Sequence, residues 1–376
     1  MAKSTVYVFS RLVAPGLGDL VQRNIALALL RRAYPDAAIT VVTGHDVAAR
    51  FADFFERHSY AADVVCCPDD GDEGGWRRFI DDLAARKPQV CFVDPDSRGL
   101  GAREARQAGI PVRLGVPGRE ADDGDLLTHP LQLRFPVSRA PDLLDYASAL
   151  ARALGLPGKV RAHDVVPEFP RSATPPRGLV AGSPRVAVHP GGDPRWNRRW
   201  PLDNYAELCR LLVRRTGAVC YLLGDQAERE NLLRLAERVA ASEPDARVEV
   251  VAGGTLDDAA NLLAEMDLLV GNDSSPAHVA AAVGTPTVVV YGPTGTEFFW
   301  KRVYPLHTGV SLSYPCQSVA NPPDDLSARS CAHHCLVPYS APDGPYPKCL
   351  TDLDVERVWV AVARRLGCPE NAESRS

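Results

Sequence analysis

Short apolar runs alternate with amphipathic stretches over most of the chain, and this alternation predicts repeated strand–helix units. After the first apolar run, Val21, Ile25 and Leu29 recur at the spacing of one helical face. The predicted strands of this first series lie at residues 7–9, 39–42, 64–67, 90–93 and 112–114. Each run is apolar almost throughout, which is typical of parallel strands that helices cover on both faces.

A second series of strands follows a break in this pattern. Residues 161–184 are rich in proline and glycine and lack periodicity, so we predict an interdomain linker there. The later strands are predicted at 185–189, 219–223, 248–251, 268–270 and 287–291. The predicted fold class is α/β, with two doubly wound Rossmann-like domains (1–160 and 185–368) facing a cleft. A final helix is predicted near 355–366, before a disordered polar tail at 369–376.

Composition is that of an ordinary globular enzyme and argues against several other classes. The 376 residues are 45% hydrophobic, and the net charge of −5 gives no support for nucleic-acid binding. No apolar run approaches the roughly 20 residues of a membrane-spanning helix, and the first residues lack a signal-peptide core. We therefore expect a cytoplasmic protein with reduced thiols and no integral membrane contact. Five cysteines within predicted strands or helices are expected in the core: Cys66, Cys67, Cys91, Cys209 and Cys220.

The most informative segment follows the predicted strand 268–270. Ser275 suits the N-cap of a helix and Pro276 its first position, which leaves the N–H groups of Ala277 and His278 free. Together with the hydroxyls of Ser274 and Ser275, these N–H groups form a positive helix end that suits a phosphate. Asp273 and His278 exceed what capping requires, although a well-capped helix with a satisfied histidine is the alternative.

Further candidates for the same site follow two other strands of the second domain. Gly191 and Gly192 allow close backbone approach to a phosphate, although such pairs are often plain turns. Arg198 offers positive charge to a diphosphate, unless it belongs to a solvated basic loop. Glu228, with Glu230 as a second possibility, is placed to bind ribose hydroxyls, and helix capping is the alternative for either.

Several motifs in one order resemble the ADP-heptose:lipopolysaccharide heptosyltransferase family, glycosyltransferase family nine. They span roughly residues 5 to 300. The matching segments are Leu17-Gly18-Asp19, His189-Pro190-Gly191-Gly192, Arg198-Arg199-Trp200-Pro201, Asp273-Ser274-Ser275-Pro276-Ala277-His278 and Tyr291-Gly292-Pro293-Thr294. The resemblance implies a GT-B fold and a nucleoside-diphosphate-sugar donor held by the C-terminal domain. Arg198 stands where that family carries a lysine that neutralises the diphosphate, and Ser274-Ser275 stands where it usually has Thr-Gly.

The resemblance also implies a catalytic residue in the N-terminal domain. Asp19 matches the carboxylate regarded in the family as the base that takes the acceptor hydroxyl's proton. The alternative is an N-cap for a helix predicted at 20–33, and both roles can coexist. The loop before Leu17 is two residues longer than the family's usual spacing, which indicates a different acceptor pocket.

Two sets of residues offer metal alternatives, although we expect no required cofactor. Asp94 and Asp96 could hold Mg²⁺ or Mn²⁺ on a diphosphate, but such tripeptides are common. Four cysteines in a loop-rich stretch could hold a structural zinc, although no Cys-x-x-Cys knuckle is present. They are Cys316, Cys331, Cys335 and Cys349.

The function predicted from these features is inverting transfer of a sugar from a nucleoside diphosphate to an acceptor hydroxyl. Basic residues are mostly arginine, which indicates a high-GC bacterial genome. On that ground a natural-product acceptor, such as an antibiotic precursor, is favoured over a lipopolysaccharide core. The alternatives are a sugar-nucleotide epimerase or hydrolase on the same fold, and a non-catalytic sugar-nucleotide-binding protein.

Overall fold

The computed structural model describes residues 5–10, 16–95, 101–117, 124–136, 138, 140–157, 160–161, 179–192, 198–292, 297–312, 314, 338–341 and 344–369. Contacts divide the chain into two units, Met1–Pro170 and Arg171–Ser376. The predicted linker spans this division, and its residues 162–178 lie outside the described part, as do residues 370–376 of the predicted tail.

The N-terminal unit is a six-stranded sheet, in the order β3-β2-β1-β4-β5-β6, in which every pair is parallel. Its strands are β1 Thr5–Phe9, β2 Ala38–Thr43, β3 Asp63–Cys66, β4 Val90–Val93, β5 Val112–Gly115 and β6 His129–Pro130. Its helices are α1 Leu17–Ala33, α2 His45–Arg50, α3 Ala52–Arg57, α4 Glu73–Ala85, α5 Ala102–Gln107 and α6 Leu143–Ala153.

The C-terminal unit repeats this topology in a second six-stranded parallel sheet, ordered β12-β11-β10-β7-β8-β9. Its strands are β7 Arg185–His189, β8 Val219–Gly224, β9 Val248–Ala252, β10 Leu268–Asn272, β11 Thr287–Tyr291 and β12 His307–Ser311. Its helices are α7 Leu202–Thr216, α8 Arg229–Ala240, α9 Leu256–Ala264, α10 Ser275–Ala282, α11 Glu297–Trp300, α12 Lys348–Thr351 and α13 Val355–Leu366. A short antiparallel pair, β13 Pro338–Ala341 and β14 Gly344–Pro347, precedes α12.

The predicted α/β fold class is confirmed, because both sheets are doubly wound. In each sheet the first strand lies inside, with β1 between β2 and β4 and β7 between β8 and β10. The winding direction therefore reverses beside β1 and beside β7, which opens a crevice at the carboxyl ends of the strands. Ligands of doubly wound sheets bind at this switch point.

Large aromatic side chains fill the core of the C-terminal unit. Trp200 and Trp359 are fully buried among the apolar side chains of the central strands. The indole N–H of Trp200 donates to the Leu353 carbonyl at 3.0 Å, so its one polar group is satisfied. Helix α13 covers this core and ends at Gly367, which adopts a left-handed φ of 66° that favours glycine.

The cysteines predicted as core residues largely occupy the core. Cys67, Cys91, Cys209 and Cys220 are buried, Cys66 is half-buried, and none of these five forms a disulfide. Burial raises the pKa of the Cys91 thiol to about 12, although Arg113 opposes the shift. Within the described ranges, no helix has both the length and the apolar character needed to cross a membrane.

A buried ion pair joins α1 to the carboxyl end of β4. Arg23 Nε lies 2.5 Å from Asp94 Oδ2, and the two side chains are only 13% and 3% exposed. Asp94 follows β4 at the switch point of the N-terminal sheet, so this pair fixes the first helix against the sheet. The carboxylate that a metal would need is therefore engaged by an arginine, and Asp96 lies outside the described residues.

We expect Asp94→Asn to destabilise the N-terminal unit strongly, because it leaves a buried guanidinium without this counter-charge. Breaking a buried pair costs about 3 kcal/mol or more, which is about 6–12 °C in Tm for a unit of this size. Circular dichroism melting measures the change. The control is Asp53→Asn, which removes a pair that Arg57 makes in solvent and should cost less than about 0.5 kcal/mol. Equal Tm shifts for the two variants would contradict this account.

Candidate functional site

The switch point between β7 and β10 collects the residues predicted for the donor site. The two strands pair directly, with His189 opposite Gly271. The glycine turn, Gly191–Gly192, leaves the end of β7, and Asp273 and Ser274 leave the end of β10. Parallel strands end at one edge of a sheet, so residues far apart in sequence become neighbours there.

The helix after β10 begins one residue earlier than predicted. Ser274 is the N-cap, α10 starts at Ser275, and Pro276 takes the second helical position. The N–H of Ala277 donates to the Ser274 carbonyl at 3.1 Å, so the prediction that it is free is wrong. A tight i to i+3 bond of this kind commonly satisfies first-turn N–H groups. The Ser274 hydroxyl makes no cap bond and instead forms a hydrogen bond with His189 Nδ1 at 3.0 Å.

The carboxylate of Glu228 lies against the glycine turn. The N–H of Gly192 donates to Oε1 at 3.0 Å, and the N–H of Asp225 donates to Oε2 at 2.9 Å. A Cβ at Gly191 would lie 1.8 Å from Oε1, and Gly192 has a φ of +148° that favours glycine. The Gly192 N–H predicted for a phosphate is therefore engaged by a side chain, while ribose binding by Glu228 stays a prediction.

The electrostatics of this turn keep Glu228 ionised. Burial on its own raises the pKa of the carboxyl, but the nearby His189 ring and the N–H groups of Asp225 and Gly192 outweigh it. The result is a pKa lowered to about 2. His189 Nε2 lies 3.8 Å from Oε2, a distance typical of electrostatic contact and too long for a hydrogen bond.

Arg198 and Asp273, both predicted in the donor site, form an ion pair. Arg198 Nη1 donates to Asp273 Oδ2 at 3.2 Å, and the side chains are 24% and 4% exposed. The carboxylate thus anchors a partly exposed guanidinium beside the start of α10. An arginine presents five N–H donors, so a guanidinium that is paired with a carboxylate can also meet an anion.

Asn272 is a site residue that the sequence interpretation missed. Its Oδ1 accepts from the backbone N–H of Trp200 at 3.0 Å and from the Tyr205 hydroxyl at 2.8 Å. Its Nδ2 donates to the carbonyls of Pro190 at 2.8 Å and Gly191 at 2.9 Å. The buried amide therefore makes its full set of four hydrogen bonds and ties β10 to the glycine turn and to the start of α7. The sequence did offer a signal for Asn272, which is a polar residue at the end of an apolar strand.

An aromatic cluster surrounds His278 on the other side of α10. Nδ1 of His278 forms a hydrogen bond with the Tyr304 hydroxyl at 2.9 Å, and Trp300 meets the imidazole edge-on. The cluster comprises His278, Tyr291, Trp300, Tyr304 and His307. These contacts agree with the alternative of a satisfied histidine, and phosphate binding by His278 stays a prediction.

One histidine of the aromatic cluster, His307, also contacts a carboxylate. His307 Nε2 lies 3.6 Å from Glu297 Oε1. Burial lowers the pKa of His307, although Glu297 opposes the shift. The His307 imidazole in turn lowers the pKa of Glu297, against the effect of burial. The two shifts favour the carboxylate form of Glu297 and the neutral form of His307.

Asp19 lies in the first turn of α1 and is exposed. Helix α1 begins at Leu17, so the expectation that Asp19 is its N-cap is wrong. Gly16, in an extended conformation, takes that place. Asp19 Oδ2 accepts from the Gly16 N–H at 2.8 Å, which stabilises the helix start from within. One carboxylate oxygen thus serves the helix, and the exposed position leaves the side chain accessible to a substrate.

The predicted zinc ligands fall mostly outside the described residues. Cys316, Cys331 and Cys335 lie there, whereas Cys349 is buried in the core of the C-terminal unit. Within the part of the chain that is described, no group of three or more histidine, cysteine or acidic side chains could hold a metal ion.

The N-terminal unit has an open cavity of about 340 Å³ beside α4. His45 and Cys66 border it at the carboxyl ends of β2 and β3, and Tyr7 lies on the face of β1. Arg78, Asp82 and Arg86 add charged groups from α4. The lining therefore combines aromatic and apolar side chains with charged ones.

The low pKa of Glu228 predicts acid sensitivity of the C-terminal unit. Its folded pKa of about 2 lies below the ordinary 4.5, so the unfolded chain binds the proton first as pH falls. The stabilisation, about 3 kcal/mol at most, is full above pH 4.5 and is lost between 4.5 and 2. We expect Glu228→Gln to lower Tm at pH 7 and to flatten the fall of Tm on acidification. The control is Glu230→Gln, an exposed neighbour; identical pH profiles for wild type and Glu228→Gln would contradict the prediction.

Comparisons with known proteins agree with the fold and with the family resemblance of the motifs. A family model described as glycosyltransferase family 9 (heptosyltransferase) matches residues 102–326. The chain is 34% identical over 121 residues to lipopolysaccharide heptosyltransferase 2 of Escherichia coli K12. It is 32% identical over 124 residues to lipooligosaccharide heptosyltransferase 2 of Haemophilus influenzae. Each alignment covers 32% of this chain and 34% of the relative, so the chain spans about a third of the length of these curated relatives.

Solved structures support the same architecture over nearly the whole chain. The E. coli ADP-heptose lps heptosyltransferase II structure has a TM-score of 0.63 at 20% identity, with 96% of this chain and 98% of that chain covered. A family 9 glycosyltransferase from Veillonella parvula has a TM-score of 0.60 at 18% identity, with 82% and 85% covered. At these identities the likeness concerns the fold, which is the predicted GT-B fold. Since the family model matches more than half of the residues, the chain belongs to glycosyltransferase family 9, as its motifs indicated.

Proposed function

We propose that the protein is an inverting heptosyltransferase that moves heptose from ADP-heptose to a hydroxyl of a lipopolysaccharide core. The observation that carries the proposal is the meeting of Arg198, Asp273 and the start of α10 at the switch point of the C-terminal sheet. Family membership and the names of the relatives, which are lipopolysaccharide and lipooligosaccharide heptosyltransferases, support it. The name of the solved E. coli relative supports ADP-heptose as donor.

The donor would lie across the carboxyl ends of β7 and β10. Its diphosphate would rest between the Arg198 guanidinium and the positive end of α10, since both offer charge without a metal. Its ribose would lie at the glycine turn, where the ionised Glu228 can accept hydrogen bonds from hydroxyl groups. A carboxylate repels phosphate, so this arrangement places the two parts of the nucleotide in a definite order.

The proposed reaction is a single displacement at the anomeric carbon. The acceptor oxygen forms its bond to that carbon from the face opposite the diphosphate, which inverts the configuration. Asp19 accepts the proton of the acceptor hydroxyl, and the bond between anomeric carbon and phosphate oxygen breaks. The electron pair leaves with ADP, whose charge Arg198 and α10 stabilise. Asp19 belongs to the N-terminal unit, and the residues proposed for the donor belong to the C-terminal unit.

Composition and the names of the relatives favour different acceptors. Arginine-rich composition favours a natural-product acceptor, whereas the relatives' names favour lipopolysaccharide. We choose lipopolysaccharide, because the family model matches residues 102–326, which include the proposed donor site, and the relatives are named for lipopolysaccharide or lipooligosaccharide. The cavity beside α4, with its mixed charges, is the candidate place for acceptor sugars in the N-terminal unit.

The direct test is incubation with ADP-heptose and a heptose-deficient lipopolysaccharide core, with products identified by mass spectrometry. We expect the core to gain one heptose, and turnover to survive EDTA because Arg198 and α10 supply the charge. Free heptose without transfer would indicate a hydrolase, and an isomerised donor would indicate an epimerase. Transfer only to an antibiotic precursor would overturn the acceptor assignment. Loss of turnover in EDTA that Mg²⁺ restores would overturn the metal-free mechanism.

Replacing the proposed base should separate catalysis from helix capping. Asp19→Asn keeps an oxygen for the Gly16 N–H but removes the base, so we expect kcat to fall about 10²–10⁴-fold. Nucleotide affinity and Tm should barely change. Glu104→Gln is a matched control, since Glu104 holds the same position in α5 and accepts from the Gly101 N–H. If Asp19→Asn lowers Tm and leaves kcat within a few-fold, Asp19 is a helix cap and not the base.

A further inference from the structure

His189 lies between two residues of the proposed donor site and has no role in the mechanism above. Its ring is nearly enclosed, with a residue exposure of 6%. One ring nitrogen, Nδ1, lies 3.0 Å from Ser274 Oγ at the start of α10. The other, Nε2, lies 3.8 Å from Glu228 Oε2 in the glycine turn. The imidazole thus connects the nucleotide side of the site to the phosphate side.

Backbone geometry holds the imidazole in this place. His189 is the last residue of β7 and pairs with Gly271 of β10. A Cβ at Gly271 would lie 3.0 Å from the His189 carbonyl oxygen and 3.2 Å from its Cβ. The absence of a side chain at Gly271 therefore lets the two strands close tightly beneath the ring.

The contacts of the imidazole involve both of its ring nitrogens. An ionised carboxylate beside Nε2 favours a proton on that nitrogen. The Ser274 hydroxyl has one proton and two lone pairs, so its hydrogen bond with Nδ1 leaves capacity for a second partner. Although Ser274 is the N-cap of α10, its side chain makes no cap hydrogen bond, so the helix does not use that capacity.

We propose that His189 is a positioning residue that fixes the Ser274 hydroxyl at the start of α10, ready to contact the donor. The inference rests on the proposed function, since it takes the start of α10 as part of the donor site. His189 acts through Ser274 and does not itself touch the nucleotide. Replacement of His189 should therefore weaken ADP binding only when Ser274 keeps its hydroxyl.

The test is a double-mutant cycle with ADP as the probe and calorimetry as the measurement. An asparagine amide reaches the place of Nδ1, whereas a glutamine amide reaches the place of Nε2. We expect Ser274→Ala and His189→Gln each to weaken ADP binding about tenfold, the worth of one hydrogen bond. His189→Asn should stay within about threefold. The double variant His189→Gln/Ser274→Ala should bind no more weakly than either single variant, which a merely structural histidine would not produce.

The outcomes separate this inference from the function on which it rests. Additive losses in the double variant, or equal losses for His189→Asn and His189→Gln, would overturn the role of His189 while ADP still binds the wild type. If the wild type does not bind ADP, the proposed function fails and this inference with it. His129→Gln, at an exposed histidine of the N-terminal unit, should leave the affinity unchanged.

A second comparison covers the case in which His189→Gln melts below the assay temperature. The cycle is then run with His189→Asn, which keeps the contact to Ser274. In that background Ser274→Ala should still weaken ADP binding about tenfold, because the hydroxyl is still held. Equal affinities of His189→Asn with and without the Ser274 hydroxyl would contradict the proposal.

Discussion

Four hydrogen bonds to one buried amide, that of Asn272, hold together the segments on which the candidate site stands. The glycine turn has no side chain of its own to fix it, and the Asn272 Nδ2 group donates to the Gly191 carbonyl of the turn and to the Pro190 carbonyl before it. The segment before α7 is held by the hydrogen bond from the backbone N–H of Trp200 to the Asn272 Oδ1. Only a side chain that both donates and accepts can serve these groups at once, and an unpaired carbonyl in this interior would be costly.

The sheet topology supplies the frame within which that amide acts. Pairing of β7 with β10 places His189, Asn272 and the start of α10 within one small region, although about eighty residues separate the two strands. Helix ends, turns and charged side chains then converge there because parallel strands finish at one edge. The N-terminal sheet has the same topology, and its switch point holds the Arg23–Asp94 ion pair instead.

The fold could be predicted from the sequence because buried parallel strands are uninterrupted apolar runs. Strands β4, β7 and β11 and helix α13 have the bounds that the pattern predicts. Strand β12 was not predicted, because its polar and glycine residues break the apolar pattern at the sheet edge. Helix α6 was missed although Asp142 and Asp145 form a capping box at its start. The site was predicted as residue types, whereas Asn272 and His189 became visible only through contacts between distant segments.

Glu228 gives the unliganded site a property that a bare glycine turn would lack. Its carboxylate already satisfies the Gly192 and Asp225 N–H groups, so the turn carries its own counter-anion. Free inorganic phosphate gains little there, since it would have to displace a tethered anion and then lie beside it. A ligand that brings hydroxyl groups to the carboxylate adds to the arrangement without disturbing it. In a cell rich in small phosphates, the carboxylate therefore disfavours phosphate at the turn, and under the proposed function the turn stays available to the ribose of the donor.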